Sequence, residues 1–256
     1  MYSSSANTSW GPPIETLRYD GATDYLLDKN GRIVPMDHPT ATEMRVVPYD
    51  NVNDFFQTAL KSDTYLSMSG GTAKGNYFTS VGYLNQSGIV PNSEFSKASF
   101  RLTGDIGLTD NLNVSGTASY TNSGGTFLQR GSNLSAVMVG LMRVTPTFDI
   151  TNGTDDPVND ESAYMLPDGT QRNYYPNYDN PYWSINKNKA TSEVNRLIGN
   201  TQVDYKILPW ITAMYRVGVD FYTDIRNNYL DNNSSDTDNG YIDISNYQFG
   251  ALTPTL

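Results

Sequence analysis

Leu112-Asn113-Val114-Ser115-Gly116-Thr117-Ala118-Ser119-Tyr120 sets Leu112, Val114, Gly116, Ala118 and Tyr120 on one side of a two-residue period and Asn113, Ser115, Thr117 and Ser119 on the other. Successive side chains of an extended chain point to opposite faces, so one face of this stretch calls for hydrocarbon and the other for water. The preceding stretch follows the same rule, with Phe100, Leu102, Gly104, Ile106 and Leu108 against Arg101, Thr103 and Asp105. Downstream, Leu197, Gly199, Val203, Tyr205 and Ile207 alternate with Arg196, Asn200, Gln202, Asp204 and Lys206, and Ile211, Ala213, Tyr215, Val217, Val219 and Phe221 with Thr212, Arg216, Gly218 and Asp220. Strands of ~10 residues suit a tilted bilayer crossing, whereas soluble sheets favour strands of ~5–6.

The connections alternate too. Strand-like stretches near 64–70, 76–86, 98–108, 112–122, 194–207 and 211–222 are joined by links that run short, long, short, long, short. Thr109-Asp110-Asn111 and Leu208-Pro209-Trp210 read as tight turns, and 123–193 as a very long excursion. Outer-membrane barrels keep tight turns on the periplasmic side and long loops outside. The expected fold is therefore all-β: a section of an antiparallel transmembrane β-barrel with long extracellular loops and short helical loop elements. Residues 1–63 are expected to be an extracellular loop region leading into the barrel, 64–122 two hairpins, 123–193 a long extracellular loop, 194–222 a further hairpin, and 223–256 a loop and the start of the next strand.

Composition narrows the function. The 256 residues carry 27 acidic against 17 basic side chains, a net charge of −10, which disfavours nucleic acid as a partner. No apolar run reaches the ~18 residues of a spanning helix, which leaves barrel strands untouched because they offer lipid only every second side chain. Without cysteine, and with His38 as the lone histidine, thiol chemistry, a Ser-His-Asp triad and a histidine-rich metal centre are not expected. Met1-Tyr2-Ser3-Ser4-Ser5 lacks the basic end and apolar middle of a secretory signal, and the strand count leaves two unpaired edges. The expectation is a fragment cut from both sides; the competing expectation is a complete soluble β-protein.

Several ordered stretches resemble the SusC/RagA group of TonB-dependent outer-membrane transporters. They are Ser9-Trp10-Gly11-Pro12 with Tyr19-Asp20-Gly21, Tyr49-Asp50-Asn51-Val52-Asn53-Asp54-Phe55-Phe56-Gln57-Thr58, Ser69-Gly70-Gly71 and Asn85-Gln86-Ser87-Gly88-Ile89-Val90-Pro91-Asn92-Ser93. Asn180-Pro181-Tyr182-Trp183, Val194-Asn195-Arg196-Leu197-Ile198-Gly199-Asn200 and Tyr215-Arg216-Val217-Gly218 continue the series. The resemblance implies a barrel of about 22 strands filled by an N-terminal plug. It also implies a SusD-like lipoprotein lid, TonB acting through segments absent from this chain, and import of a small glycan or peptide substrate. The outer-membrane lipid is the remaining partner, no cofactor is implied, and no residue is assigned a catalytic role.

Individual stretches sharpen this expectation. Asp50-Asn51 is expected to cap a helix carrying Val52, Phe55, Phe56, Ala59 and Leu60 on one face. It reads either as a docking element for a partner lid or as a loop helix packed on its own barrel rim. Leu134, Val137, Met138, Leu141 and Met142 have similar spacing and are expected to brace the long loop. Tyr174, Tyr175, Tyr178, Tyr182 and Trp183, interleaved with Asn, Asp and Pro, suit sugar rings or a protein interface, or else hold the loop together as buried rings. The acidic clusters Asp155, Asp156, Asp160, Glu161 and Asp231, Asp236, Asp238 lack an EF-hand pattern and are expected to be solvated, with no metal bound. Asp20 with Asp24, and Asp204 with Asp220, are the carboxylate pairs to weigh for glycosidase chemistry; a water-filled lumen explains the second pair without catalysis. Trp210, Tyr120 and Tyr222 stand near strand ends, where aromatic girdles sit, although Trp210 and Tyr222 differ in parity. Arg101, Asp105, Arg196, Asp204, Arg216 and Asp220 are expected to face the lumen or plug. The leading expectation is an importer, set against a surface or secreted glycan-binding β-domain and against a passive porin.

Overall fold

A computed structural model describes residues 11–129 and 131–255; the Ser9-Trp10 part of the family-like pattern and the start at Met1 lie outside them. Seven strands form one antiparallel meander in chain order: β3 (Lys61–Thr72), β4 (Gly75–Ser87), β5 (Glu94–Gly107), β6 (Leu112–Phe127), β7 (Lys189–Leu208), β8 (Ile211–Leu230) and β9 (Tyr241–Thr255). A separate two-stranded ribbon pairs β1 (Leu17–Tyr19) with β2 (Ile33–Pro35). The sheet is not closed: β3 and β9 each pair on one side only.

The strands exceed what the alternation predicts. β7 and β8 each run 20 residues and β6 runs 16, so the long excursion begins after Phe127 and ends at Lys189. The added residues, such as Ser123, Thr126, Thr191 and Ser192, are polar on both faces and carry no period to read. Pairing nevertheless continues through them, Gly125 opposite Ser192 and Thr126 opposite Thr191. A meander joins successive strands at alternate ends. The links after Thr72, Gly107 and Leu208 are tight and share one end; those after Ser87, Phe127 and Leu230 are longer and share the other.

The hydrophobic core lies outside the sheet. Phe55, Val90, Val137, Leu141, Phe148, Ile150, Ala163, Tyr164, Tyr182, Trp183 and Ile185 pack together at the long-link end, forming a cap. Three short helices build it: α1 (Asn51–Phe55), α2 (Val137–Arg143) and α3 (Pro181–Lys187). The Asp50 carboxylate caps α1 by accepting from the Asn53 amide at 3.4 Å. The helix stops at Phe55, and Leu60 is 75% exposed, so the apolar stripe expected to continue through Ala59 and Leu60 does not form. Within α2, Val137 and Leu141 are buried while Met138 and Met142 face outward, so only part of that stripe braces the loop. A Cβ at Gly140 would fall 2.3 Å from the Asp179 carbonyl oxygen; glycine lets α2 lie flush against the chain leading into α3.

Candidate functional site

Register decides which side chains share a face. Pairing runs from Asp105 to Ser115, Gln202 and Arg216, and from Arg101 to Ser119, Ile198 and Asp220. Arg101, Asp105, Arg196, Asp204, Arg216 and Asp220 therefore all stand on one face. Their polar atoms engage one another and nearby amides. Arg196 grips Asp220 through Nε at 3.1 Å and Nη2 at 2.8 Å. Gln202 donates to both Asp204 oxygens at 2.9 and 2.8 Å while its own Oε1 accepts from Arg216 Nε at 2.8 Å and from Nη2. Asn76 donates to Asp105 at 3.3 Å. Arg196 and Asp220 remain 48% and 33% exposed, so water screens the pair and it adds little to stability. Such a face is built for an aqueous surround. Held by arginine and glutamine on an open wall, Asp204 and Asp220 form no glycosidase cleft, and Asp24 is tied to Arg32 at 2.7 Å on the ribbon side of the cap.

The opposite face is dry. Row by row it presents Leu66, Val81, Phe100, Tyr120, Leu197 and Phe221, then Met68, Leu102, Ala118, Val219 and Leu252, then Ile106, Val114, Val203 and Tyr215. Nothing in the described chain covers them: Leu66 is 68% exposed and Ile106 50%. From Leu112 to Tyr120 the band extends eight residues, ~27 Å along the strand. That matches the ~25 Å apolar belt of membrane barrels once some tilt is allowed. At the upper boundary the Tyr120 hydroxyl donates to Asn195 at 2.7 Å, its ring in the dry band and its oxygen in the polar row above. Tyr120 thus has girdle geometry. Tyr222 does not: it lies on the wet face, stacked on Phe249 at 5.7 Å and beneath Arg196. Trp210, 78% exposed, occupies the β7–β8 turn.

The five aromatic candidates separate. Tyr182 and Trp183, each 1% exposed, sit on α3 inside the cap core. Asn180 caps that helix by accepting from the Tyr182 amide at 2.8 Å, with Pro181 at the first helical position. Tyr175 is buried as well, while Tyr174 and Tyr178 are half-buried. Tyr174 meets Tyr175 edge-on at 4.7 Å, and Tyr178 accepts from Arg143 Nη1 at 2.6 Å beneath the same guanidinium. Only Tyr174 and Tyr178 thus offer ring surface outward.

Two polar nodes that no motif announced hold the cap. Buried Asp179 accepts from Gln171 Nε2 at 2.8 Å and the Ser235 amide at 2.6 Å on one oxygen, and from Asn188 Nδ2 at 2.9 Å and Ser234 Oγ at 2.7 Å on the other. This locks the β8–β9 loop onto the β6–β7 excursion. Arg172, 1% exposed, donates to the carbonyls of Ala163 at 3.1 Å and Asp149 at 2.8 Å and lies over Phe148. Burial pushes its guanidinium down to about 10, opposed by the carboxylates of Asp149 and Asp28, so it stays charged at neutral pH. Among the described residues the acidic loops hold no cluster of three or more metal-ligating side chains; Asp156 instead accepts from Asn159, and Glu161 pairs with Lys187.

A wet face, an uncovered dry face of membrane height and loops sorted by end meet their counterparts among known proteins. The TonB-dependent receptor SusC of Bacteroides thetaiotaomicron is 25% identical over 168 residues, covering 60% of this chain and 16% of that protein. The chain is similar to a SusC/RagA-type transporter. The RagAB peptide transporter structure superposes with a TM-score of 0.58 at 20% identity, covering 81% of this chain and 23% of that one. The RagAB peptide importer in its open-open state gives 0.55 at 19%, covering 80% and 23%. The solved structures share the fold, and the likeness to SusC sets these strands in the bacterial outer membrane. No protein-family model matches the chain. The chain spans about a sixth of the SusC length and under a quarter of the RagAB chains.

Proposed function

We propose that this chain forms an arc of the wall of a roughly 22-stranded, plug-filled barrel that imports oligosaccharides or peptides in a TonB-dependent cycle. The observation that carries the reading is the division of the sheet into a hydrogen-bonded wet face and an uncovered dry face, with every tight turn at one end. In this reading the tight turns point to the periplasm and the cap to the outside. The charges from Arg101 to Asp220 line the lumen against the plug. A SusD-like lipoprotein closes over the cap, and TonB moves the plug using the inner-membrane proton gradient. The chain's own task is passive: it excludes lipid from the path and water from the bilayer. Tyr174 and Tyr178, the two rings of the aromatic stretch with outward surface, are the members that meet substrate; Tyr175, Tyr182 and Trp183 hold the loop that carries them.

Spin labels at Val114 and Ser115 in the complete barrel test the wall. Oxygen should broaden the Val114 signal and a water-soluble nickel complex the Ser115 signal; equal exposure of both to bulk water would end the proposal. Substrate contact has its own test. Tyr178→Ala should lower uptake several-fold with membrane insertion unchanged, and undiminished uptake would remove Tyr178 from the path.

A further inference from the structure

Directly above the dry band, still on the outer face, the side chains change character. The row over Tyr120–Leu197–Phe221 reads Asn122–Asn195–Thr223–Gln248, and the next Ser96–Gly124–Glu193–Ile225–Asn246. Asn122 donates to Asn195 at 2.8 Å and to Glu193 at 3.3 Å, and Asn227 to Thr191 at 3.3 Å. In their midst lies a notch of about 310 Å³ lined by Ser96, Asn122, Thr191, Glu193 and Asn227, with bare backbone at Gly124 as part of its wall. The level of this notch is set by the Tyr120 hydroxyl, which marks the edge of the hydrocarbon. The notch therefore stands where lipid headgroups begin.

We propose that this notch binds the saccharide headgroup of an outer-leaflet glycolipid. Amides, hydroxyls and exposed backbone match sugar hydroxyls, which both donate and accept. Phosphate is the poorer fit. The notch has no lysine or arginine in its lining, and Glu193, with Glu94 one row above, would repel an anion. A glycolipid whose acyl chains lie along Leu197 and Phe221 brings its sugars to Asn122 and Asn227 without leaving the bilayer, so the dry band and the notch serve one molecule. The inference rests on the orientation above, with the long links outside.

The test uses the complete barrel in nanodiscs containing lipopolysaccharide, or phosphatidylglycerol alone. Asn122→Ala with Asn227→Ala should reduce retained lipopolysaccharide about tenfold, the loss of two or more hydrogen bonds, and leave the low retention of phosphatidylglycerol unchanged. Glu193→Gln keeps the hydrogen-bonding shape and should hold retention within about twofold. Heat-modifiable migration on gels confirms that each variant is folded. Equal retention by the double variant, or phosphatidylglycerol bound as well as lipopolysaccharide and released by chelator, overturns the headgroup site; the latter identifies a cation-bridged phosphate instead. Asn227→Cys labelled from outside intact cells checks orientation separately. Labelling with unchanged retention overturns the site alone, and absence of labelling overturns the orientation together with it.

Discussion

The cap and the sheet use the same apolar side chains to opposite ends. In the cap, Phe55, Leu141, Ile150 and Trp183 are each 1% exposed or less, enclosed by their own chain. On the sheet Leu66, Ile106 and Leu252 are 68, 50 and 71% exposed, and the described chain brings nothing to cover them. Full burial of one such residue is worth ~1.5–3 kcal/mol, so a row of them left in water would be prohibitive. The cap is thus a core in the soluble sense, and the sheet borrows its second layer from the bilayer. Folding of the cap is a problem of packing; folding of the sheet is a problem of solvent.

Substitutions at matched sites put that contrast at risk. The largest effect is expected inside the cap: Trp183→Ala should cost the cap ~3–5 kcal/mol, read as accelerated hydrogen exchange over 134–188 with barrel insertion retained. If exchange there is unchanged, the cap is not an independent core. Next, Ala118→Arg on the dry band should make insertion less favourable by ~2–4 kcal/mol, whereas Thr117→Arg, one residue away on the wet face, should cost under ~1. Similar costs at both sites would erase the distinction between the faces. Asp179→Ala strands four donors and should cost ~2–3 kcal/mol, loosening 231–240 in limited proteolysis. Arg196→Ala removes an exposed, water-screened pair on the open face and should leave the chemical-denaturation midpoint in detergent nearly unchanged; a large drop would mean that the face is not open to water.

The smallest effect concerns pH. Burial holds the Asp28 carboxyl above its ordinary range, against the opposing pull of the Asn30 amide and Arg172. The folded cap then binds this proton more tightly than the unfolded chain, so stability falls as pH rises from the unfolded carboxylate value, ~3.9, through the folded one. Asp28→Asn should raise cap stability at neutral pH and make no difference below about pH 3.5. A benefit that persists undiminished in acid would mean that charge is not the cause.

Legibility in the sequence followed the same division. The period-two contrast seen at Leu112–Tyr120 and in its sister stretches placed six strands and set Arg101, Asp105, Arg196, Asp204, Arg216 and Asp220 on one shared face, because a membrane wall imposes one rule on each crossing. Where the strands rise past the bilayer that rule lapses, and Thr191, Ser192, Thr223 and Asn227 look like loop residues although they are paired. The cap was less readable. Aromatic density at Tyr174–Trp183 fitted both ligand contact and packing, and tertiary placement alone separated Trp183 from Tyr178. Asn180-Pro181 carries a helix-start signal, a capping amide followed by proline at the first helical position, that side-chain periodicity does not show. Asp179 and Gln171 gave no local sign, since their partners lie up to 62 residues away.

The extra height of β7 and β8 has a mechanical consequence. From Leu197 to Lys189 and from Phe221 to Leu230 the ladder continues for eight or nine residues beyond the dry band, ~30 Å of hydrogen-bonded ribbon. A parapet of that size holds the cap well clear of the apolar rows. The ladder is unbroken from the base of the cap's loops down to the dry band, so the packed core and the lipid-facing wall are joined by one stiff ribbon.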